Sequence, residues 1–290
     1  MMVKGSRPSW RTYHTVVHPE QYKINWKAFY EKADELTAEA RTKLVCHADV
    51  MYGEDPKQGL DIYLPKGNPS GCPVFFFLHG GGFREGDRLD YGFVASPFAN
   101  HGIVTVSAGY RLTPEFRYPH AHDDGRSALA WVFHHIKEYG GDPDRIYVGG
   151  HSSGANIAAY ITVRGDWLKG MGLPSNLIKG LASVSTSYDL RKVSWVGEYL
   201  PDPEQRGEAS PILNLQTTPP YAVIGVGSLE QQAGKERVQS SKEFVQKLKE
   251  KGGAAELVLL EDMEHDQTAL EMGDEQSPLF RAILRMIRPA

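Results

Sequence analysis

The fold class this sequence predicts is α/β, a mostly parallel sheet of about eight strands flanked by helices, and three observations predict it. Apolar runs of strand length recur along the chain, each bounded by Gly or Pro. Segments with helical spacing of apolar residues lie between them. The run VFFFL is continuously apolar, and IVTVSA carries only the small polar residues Thr105 and Ser107, as suits strands covered on both faces.

The elements follow in order. Residues 1–23 are polar and aromatic without a period and are expected to form an irregular arm. Over 25–43, Trp26, Phe29, Tyr30, Ala33, Leu36 and Ala40 recur at helical spacing, which predicts an amphipathic helix. Two short strands, 46–52 and 60–64, flank the turn-rich GEDPKQG. Buried strands are then expected at 74–78, 103–108, 145–148, 181–185, 221–225 and 256–260. Helices are expected at 92–100, 123–138, 155–163, 236–251 and 278–287. Residues 164–215 fit less well, mixing Gly, Pro, Trp195 and Tyr199 around one short strand. Parts of this stretch are a candidate insertion over the C-terminal edge of the sheet, where open α/β sheets bind ligands. The chain 1–290 is thus expected to be one domain, with the N-terminal helix and the insertion forming a small cap.

Composition narrows the function classes. Of 290 residues, 41% are hydrophobic and 23% charged, an ordinary balance that excludes wholesale disorder. A net charge of −4 gives no electrostatic reason to bind nucleic acid or anionic lipid. Cys46 and Cys72 are too few for a disulfide framework and read as reduced thiols of a cytoplasmic protein. The first residues, MMVKGSRPSWRTYH, lack the apolar core of a signal peptide, and no apolar run is long enough to span a bilayer.

Two glycine-rich motifs carry chemistry. Gly150-His151-Ser152-Ser153-Gly154 is G-x-S-x-G, with the strand RIYVG entering and the helix ANIAAYITV leaving. A sharp strand-to-helix turn needs nearly side-chain-free neighbours at ±2 and projects the central hydroxyl into a cleft. Ser152 is therefore the expected nucleophile. A glycine-rich turn with a serine N-cap is the bland alternative, and Ser153 would supply that cap. His79-Gly80-Gly81-Gly82-Phe83 follows VFFFL. Its three glycines let the main chain approach a substrate and aim N–H groups at one point. With the Ser153 N–H, two of these donors could hold an oxyanion.

One histidine follows Ser152 in the chain, His265, in the turn-like EDMEHDQT past the final strand. It is the expected base. Glu230, in GSLEQQ after the YAVIGVG strand, is the expected acid; Asp262, Glu264 and Asp266 sit too near His265 in sequence to reach its far nitrogen, and Glu236 belongs to the next helix.

Together these residues resemble the hormone-sensitive-lipase-like esterases of the α/β-hydrolase superfamily, close to the arylformamidase-like branch. YRLTPEFRYP with Asp124 beyond it, GGDPDRI, SPILN and PPYAVIGVGSLE extend the likeness from about residue 25 to 287. The resemblance implies Gly81 and Gly82 as oxyanion donors, Glu230 as acid, His265 as base and Asp124 as a brace for loops near the site. It also implies short acyl or aryl ester substrates, no metal or cofactor, and the homodimers of many members. The N-terminal helix and LDIYLPKG resemble the formamidase branch, whose oxyanion loop more often reads HGGYW; HGGGF points back to the ester hydrolases. Phe83, Trp195 and Tyr199 are candidate pocket residues. A base role for His265 predicts loss of activity below about pH 6–7, near an ordinary imidazole pKa.

Three rivals remain. His120-Ala121-His122-Asp123-Asp124 resembles the start of an H-x-H-x-D-H metal motif, but Gly125 stands where its last histidine belongs. A non-catalytic binding protein on this fold would be expected to have lost Ser152 or His265, and both are present. Amide hydrolysis, particularly of N-formyl aryl amides, would use the same triad.

Overall fold

The computed structural model describes residues 26–231 and 236–288; the arm expected over 1–23 lies outside them. The elements, in order, are α1 (Trp26–Lys43), β1 (Val45–Met51), β2 (Gly59–Leu64), β3 (Cys72–Leu78), α2 (Ala95–Asn100), β4 (Val104–Ala108), α3 (His120–His135), β5 (Gly141–His151) and α4 (Ser153–Val163). Then come α5 (Asp166–Gly170), β6 (Ile178–Val184), α6 (Pro203–Glu208), β7 (Tyr221–Gly227), α7 (Arg237–Glu250), β8 (Ala254–Leu260), α8 (His265–Glu271) and α9 (Pro278–Ile287).

Eight strands form one sheet in the order β1-β2-β4-β3-β5-β6-β7-β8. β1 and β2 are antiparallel to their neighbours, and every pair from β4 to β8 is parallel. The chain runs from β3 to β4 on one side, then crosses back to place β5 on the other. That reversal makes the C-terminal ends of β3 and β5 the switch point where such sheets open a crevice.

The run CPVFFFL shows how the layers form. Successive side chains point to opposite faces. Val74, Phe76 and Leu78 enter a core with Leu129, Ile157 and Ile161 of α3 and α4 and Phe244 of α7. Phe75 and Phe77 enter a second core with Phe98, Leu279, Phe280 and Ile283 of α2 and α9. Phe29, Tyr30 and Ala33 of α1 bury in this same second core, so α1 belongs to a flanking layer.

Departures from the expected elements have local causes. β5 is longer than the expected 145–148, and β6 begins at Ile178 rather than 181. β6 is an interior strand, between β5 and β7, so part of the stretch 164–215 belongs to the sheet itself. The helix expected over 92–100 begins as a 3-10 turn and becomes α-helical at Ala95; that expected over 123–138 starts at His120 and ends as a 3-10 turn. Glu236 is the N-cap of α7, with φ 40°, not its first turn. EDMEHDQT, read as a turn, opens helix α8: the Glu264 side chain and Gln267 form a reciprocal capping box around His265.

Candidate active site

Ser152 sits between β5 and α4 with φ 54° and ψ −120°, a conformation that costs a non-glycine residue on the order of 1–3 kcal/mol. Its surroundings impose it. The Ser152 N–H donates to the Val184 carbonyl of β6 at 2.9 Å, while its own carbonyl accepts from Asn156 N–H at 3.1 Å. A side chain at Gly154 would stand 2.2 Å from the carbonyl oxygens of Leu78 and His79. One at Gly150 would stand 2.6 Å from the Gly154 carbonyl. Neither glycine can be replaced without pushing β3, β5 and α4 apart. The Ser153 hydroxyl does not cap α4; it lies 3.2 Å from the Tyr110 hydroxyl.

His265 Nε2 lies 2.9 Å from Ser152 Oγ, and His265 Nδ1 lies 2.7 Å from Glu230 Oε2. All three groups are buried, with Ser152 retaining 7% exposure. The glutamate stands in a 3-10 turn, Ser228–Gln231, directly after β7. Its other oxygen accepts from Ser185 Oγ at 2.6 Å and from Gly227 N–H at 3.0 Å. Arg237, near the start of α7, donates to Oε2 at 3.3 Å. Burial alone would raise the Glu230 carboxyl; His265, Arg237 and Ser185 outweigh it and hold the group ionised, well below the usual range. With the carboxylate an obligate acceptor, His265 Nδ1 carries the proton and Nε2 is free to accept from Ser152.

The loops that carry His265 and Glu230 are stitched together. Leu229 N–H donates to the Met263 carbonyl at 3.2 Å, and Asp262 N–H to Ser228 Oγ at 2.9 Å. A side chain at Gly227 would meet the Met263 carbonyl oxygen at 2.2 Å. Thr268 bonds the His265 carbonyl at 2.8 Å and Ser185 Oγ at 2.7 Å. His151 Nε2–H donates to that same His265 carbonyl at 2.9 Å. Burial keeps His151 neutral, its pKa pushed down to about 3. Ser185, Thr268, Arg237 and the supporting role of His151 are absent from the sequence reading. The Glu264/Gln267 spacing was the one available signal, since it places Thr268 on the first turn of a helix with His265.

The glycine loop lies against Ser152: a side chain at Gly80 would stand 3.2 Å from Ser152 Cβ. Gly81 and Gly82 have φ of 131° and 63°, and a side chain at Gly81 would collide with the Glu85 carbonyl at 1.9 Å. Among the described residues, the N–H groups of Gly81, Gly82 and Ser153 have no backbone acceptor. His79 anchors the loop, donating through Nδ1 to the Gly80 carbonyl at 2.7 Å and stacking on Tyr110 at 4.2 Å. Tyr110 in turn donates to the His79 carbonyl at 2.8 Å.

Phe83, Trp195 and Tyr199 come together as a stack, with Phe83 4.1 Å from Tyr199 and 5.9 Å from Trp195 between ring centres. Phe83 and Tyr199 are buried, so of the three only Trp195 keeps exposed ring surface. His122 is stacked against Phe83 and Tyr199 and accepts from the Tyr199 hydroxyl at 2.9 Å. Its neighbour Asp124 receives Arg111 N–H at 2.8 Å, the Arg111 guanidinium at 2.7 Å and Gln58 Nε2 at 2.7 Å. His122 and Asp124 of HAHDD are thus separately engaged, and no group of three or more metal-ligating side chains occurs among the described residues.

A family model described as alpha/beta hydrolase fold matches residues 75–269, more than half of the chain. The chain belongs to the α/β-hydrolase fold family. Among curated relatives of this hydrolase, the probable isoprenylcysteine α-carbonyl methylesterase ICMEL1 of Arabidopsis thaliana is 37% identical over 110 residues, 38% of this chain and 23% of that one. The chain therefore spans about a quarter of that relative's length. Kynurenine formamidase of Danio rerio is 28% identical over 257 residues, 87% of this chain and 85% of the relative. In three dimensions this chain is similar to EstE1, a thermostable carboxylesterase cloned from a metagenomic library. The identity is 25% and the TM-score 0.70, covering 90% of this chain and 95% of that one. No helix of the described residues is long and apolar enough to cross a membrane.

Proposed function

We propose that this hydrolase cleaves carboxylic esters of small acyl or aryl substrates, with Ser152 as nucleophile, His265 as base and Glu230 as acid. The unbroken chain of contacts from Ser152 Oγ through His265 to Glu230 carries the reading. His265 Nε2 takes the Ser152 proton as Oγ attacks the ester carbonyl. The N–H groups of Gly81, Gly82 and Ser153 stabilise the oxyanion, and the alcohol leaves with the proton from His265. Water, deprotonated by His265, then releases the acid and restores Ser152. Trp195 borders the entrance in this reading. The unpaired Cys46 and Cys72 suit a cytoplasmic setting.

The likeness to the Danio rerio formamidase over most of both chains favours a second reading, hydrolysis of an N-formyl aryl amide by the same groups. Purified protein and Ser152→Ala, assayed on short and medium p-nitrophenyl esters and on N-formylkynurenine, separate them. Ester turnover that falls by at least about 10⁴-fold in the variant supports the esterase. Formamide turnover far above that of the esters replaces it with the formamidase. Silence of the wild-type protein on every substrate removes both.

A further inference from the structure

We propose that Arg237 is a positioning residue that draws part of the Glu230 charge away from His265, so that the base stays unprotonated further into acid than a lone carboxylate would allow. The proposal rests on the hydrolase reading above. In the usual arrangement an acid gives its whole charge to the imidazole and so favours imidazolium. Here the guanidinium and the His265 Nδ1–H are bound to the same oxygen, Glu230 Oε2. Arg237 is itself 8% exposed, so water screens this charge poorly. The acid and arginine form a nearly neutral pair, and protonating His265 then adds a second positive charge to one carboxylate.

The other groups facing the pair do not cancel this effect. From the end of β5, His151 is neutral, its ring centre 4.8 Å from that of His265. On α8, burial, helped by the Glu264 and Glu230 charges, raises the Asp266 carboxyl above its ordinary value. Glu264 is engaged in the capping box. Tyr188, beyond β6, is pushed up by burial and stays neutral. Ser185 and Thr268 contribute uncharged hydroxyls.

The acid limb of kcat/KM is the readout, for wild type, Arg237→Met and Arg237→Lys on one p-nitrophenyl ester, with fluorophosphonate labelling of Ser152 scored separately. Wild type is expected to lose activity with a midpoint below 6.5, the ordinary imidazole value. In Arg237→Met the midpoint should rise by about half a pH unit or more, and Arg237→Lys should restore it. A wild-type midpoint above about 7 overturns the proposal without any variant. So does an Arg237→Met protein that labels normally and loses rate equally at every pH, since that is the signature of packing alone. Failure of the wild type to label at Ser152 overturns the hydrolase reading and the proposal with it, and differs visibly from an unmoved midpoint.

Discussion

At the residue scale, Ser185 shows what a buried Glu230 carboxylate requires. A carboxylate with no exposure keeps its charge only if both oxygens are supplied with donors. Ser185 and Gly227 supply one, His265 and Arg237 the other. Ser185→Ala removes a hydrogen bond to a charged group, of about 1.5–3 kcal/mol. Turnover of a p-nitrophenyl ester is expected to fall roughly 10-fold or more, with KM little changed. A variant that retains wild-type kcat would show that Gly227 alone fixes that oxygen. None of this was visible in the chain as letters: Ser185 belongs to no motif, and only the pairing of β6 with β7 brings it to Glu230.

At the element scale, legibility followed periodicity. Buried strands and the two glycine motifs could be read because continuous apolar runs and clustered glycines have few other uses. The helix α8 could not, because EDMEHDQT is polar and its helix is held by a cap and by tertiary contacts rather than by an apolar stripe. Ser152, Glu230 and His265 were readable as strand-end residues, whereas Arg237 belongs to no motif and only the fold brings it to Glu230. That Phe83 and Tyr199 stack as buried rings could not be read, since stacking partners far apart in sequence leave no trace in it. The stitching of two loops gives a prediction of its own. Gly227→Ala drives a methyl to within 2.2 Å of the Met263 carbonyl and must shift the loop that carries His265. Hydrolysis should drop at least 10-fold, roughly the cost of a displaced catalytic group. The circular dichroism spectrum should stay native; an unchanged rate would mean the loop yields without moving its histidine.

For the whole molecule, the buried imidazoles set the response to acid. His79, His122 and His151 are held neutral chiefly by burial, with pKa values pushed down to about 4, 3 and 3. In the unfolded chain they titrate near 6.5, so below that pH the unfolded state binds more protons. Their contribution is complete above 6.5 and is lost as pH falls toward the folded values. Each costs on the order of 1.4 kcal/mol per pH unit within that window. Glu230, lowered in the fold, adds a further loss below about 4.5. Thermal melts should show a Tm that drops steeply from pH 6.5 to pH 5; a Tm unchanged over that interval would mean the three rings gain protons without unfolding. The order of the strands has one more consequence. A chain is made from its N-terminus, and 113 residues separate Ser152 from His265. In the proposed reading, Ser152 is therefore made well before its base His265, which follows the edge strand β8 in the chain. On that reading a nascent chain carries Ser152 without its partner, and turnover is expected only after synthesis has passed the final strand.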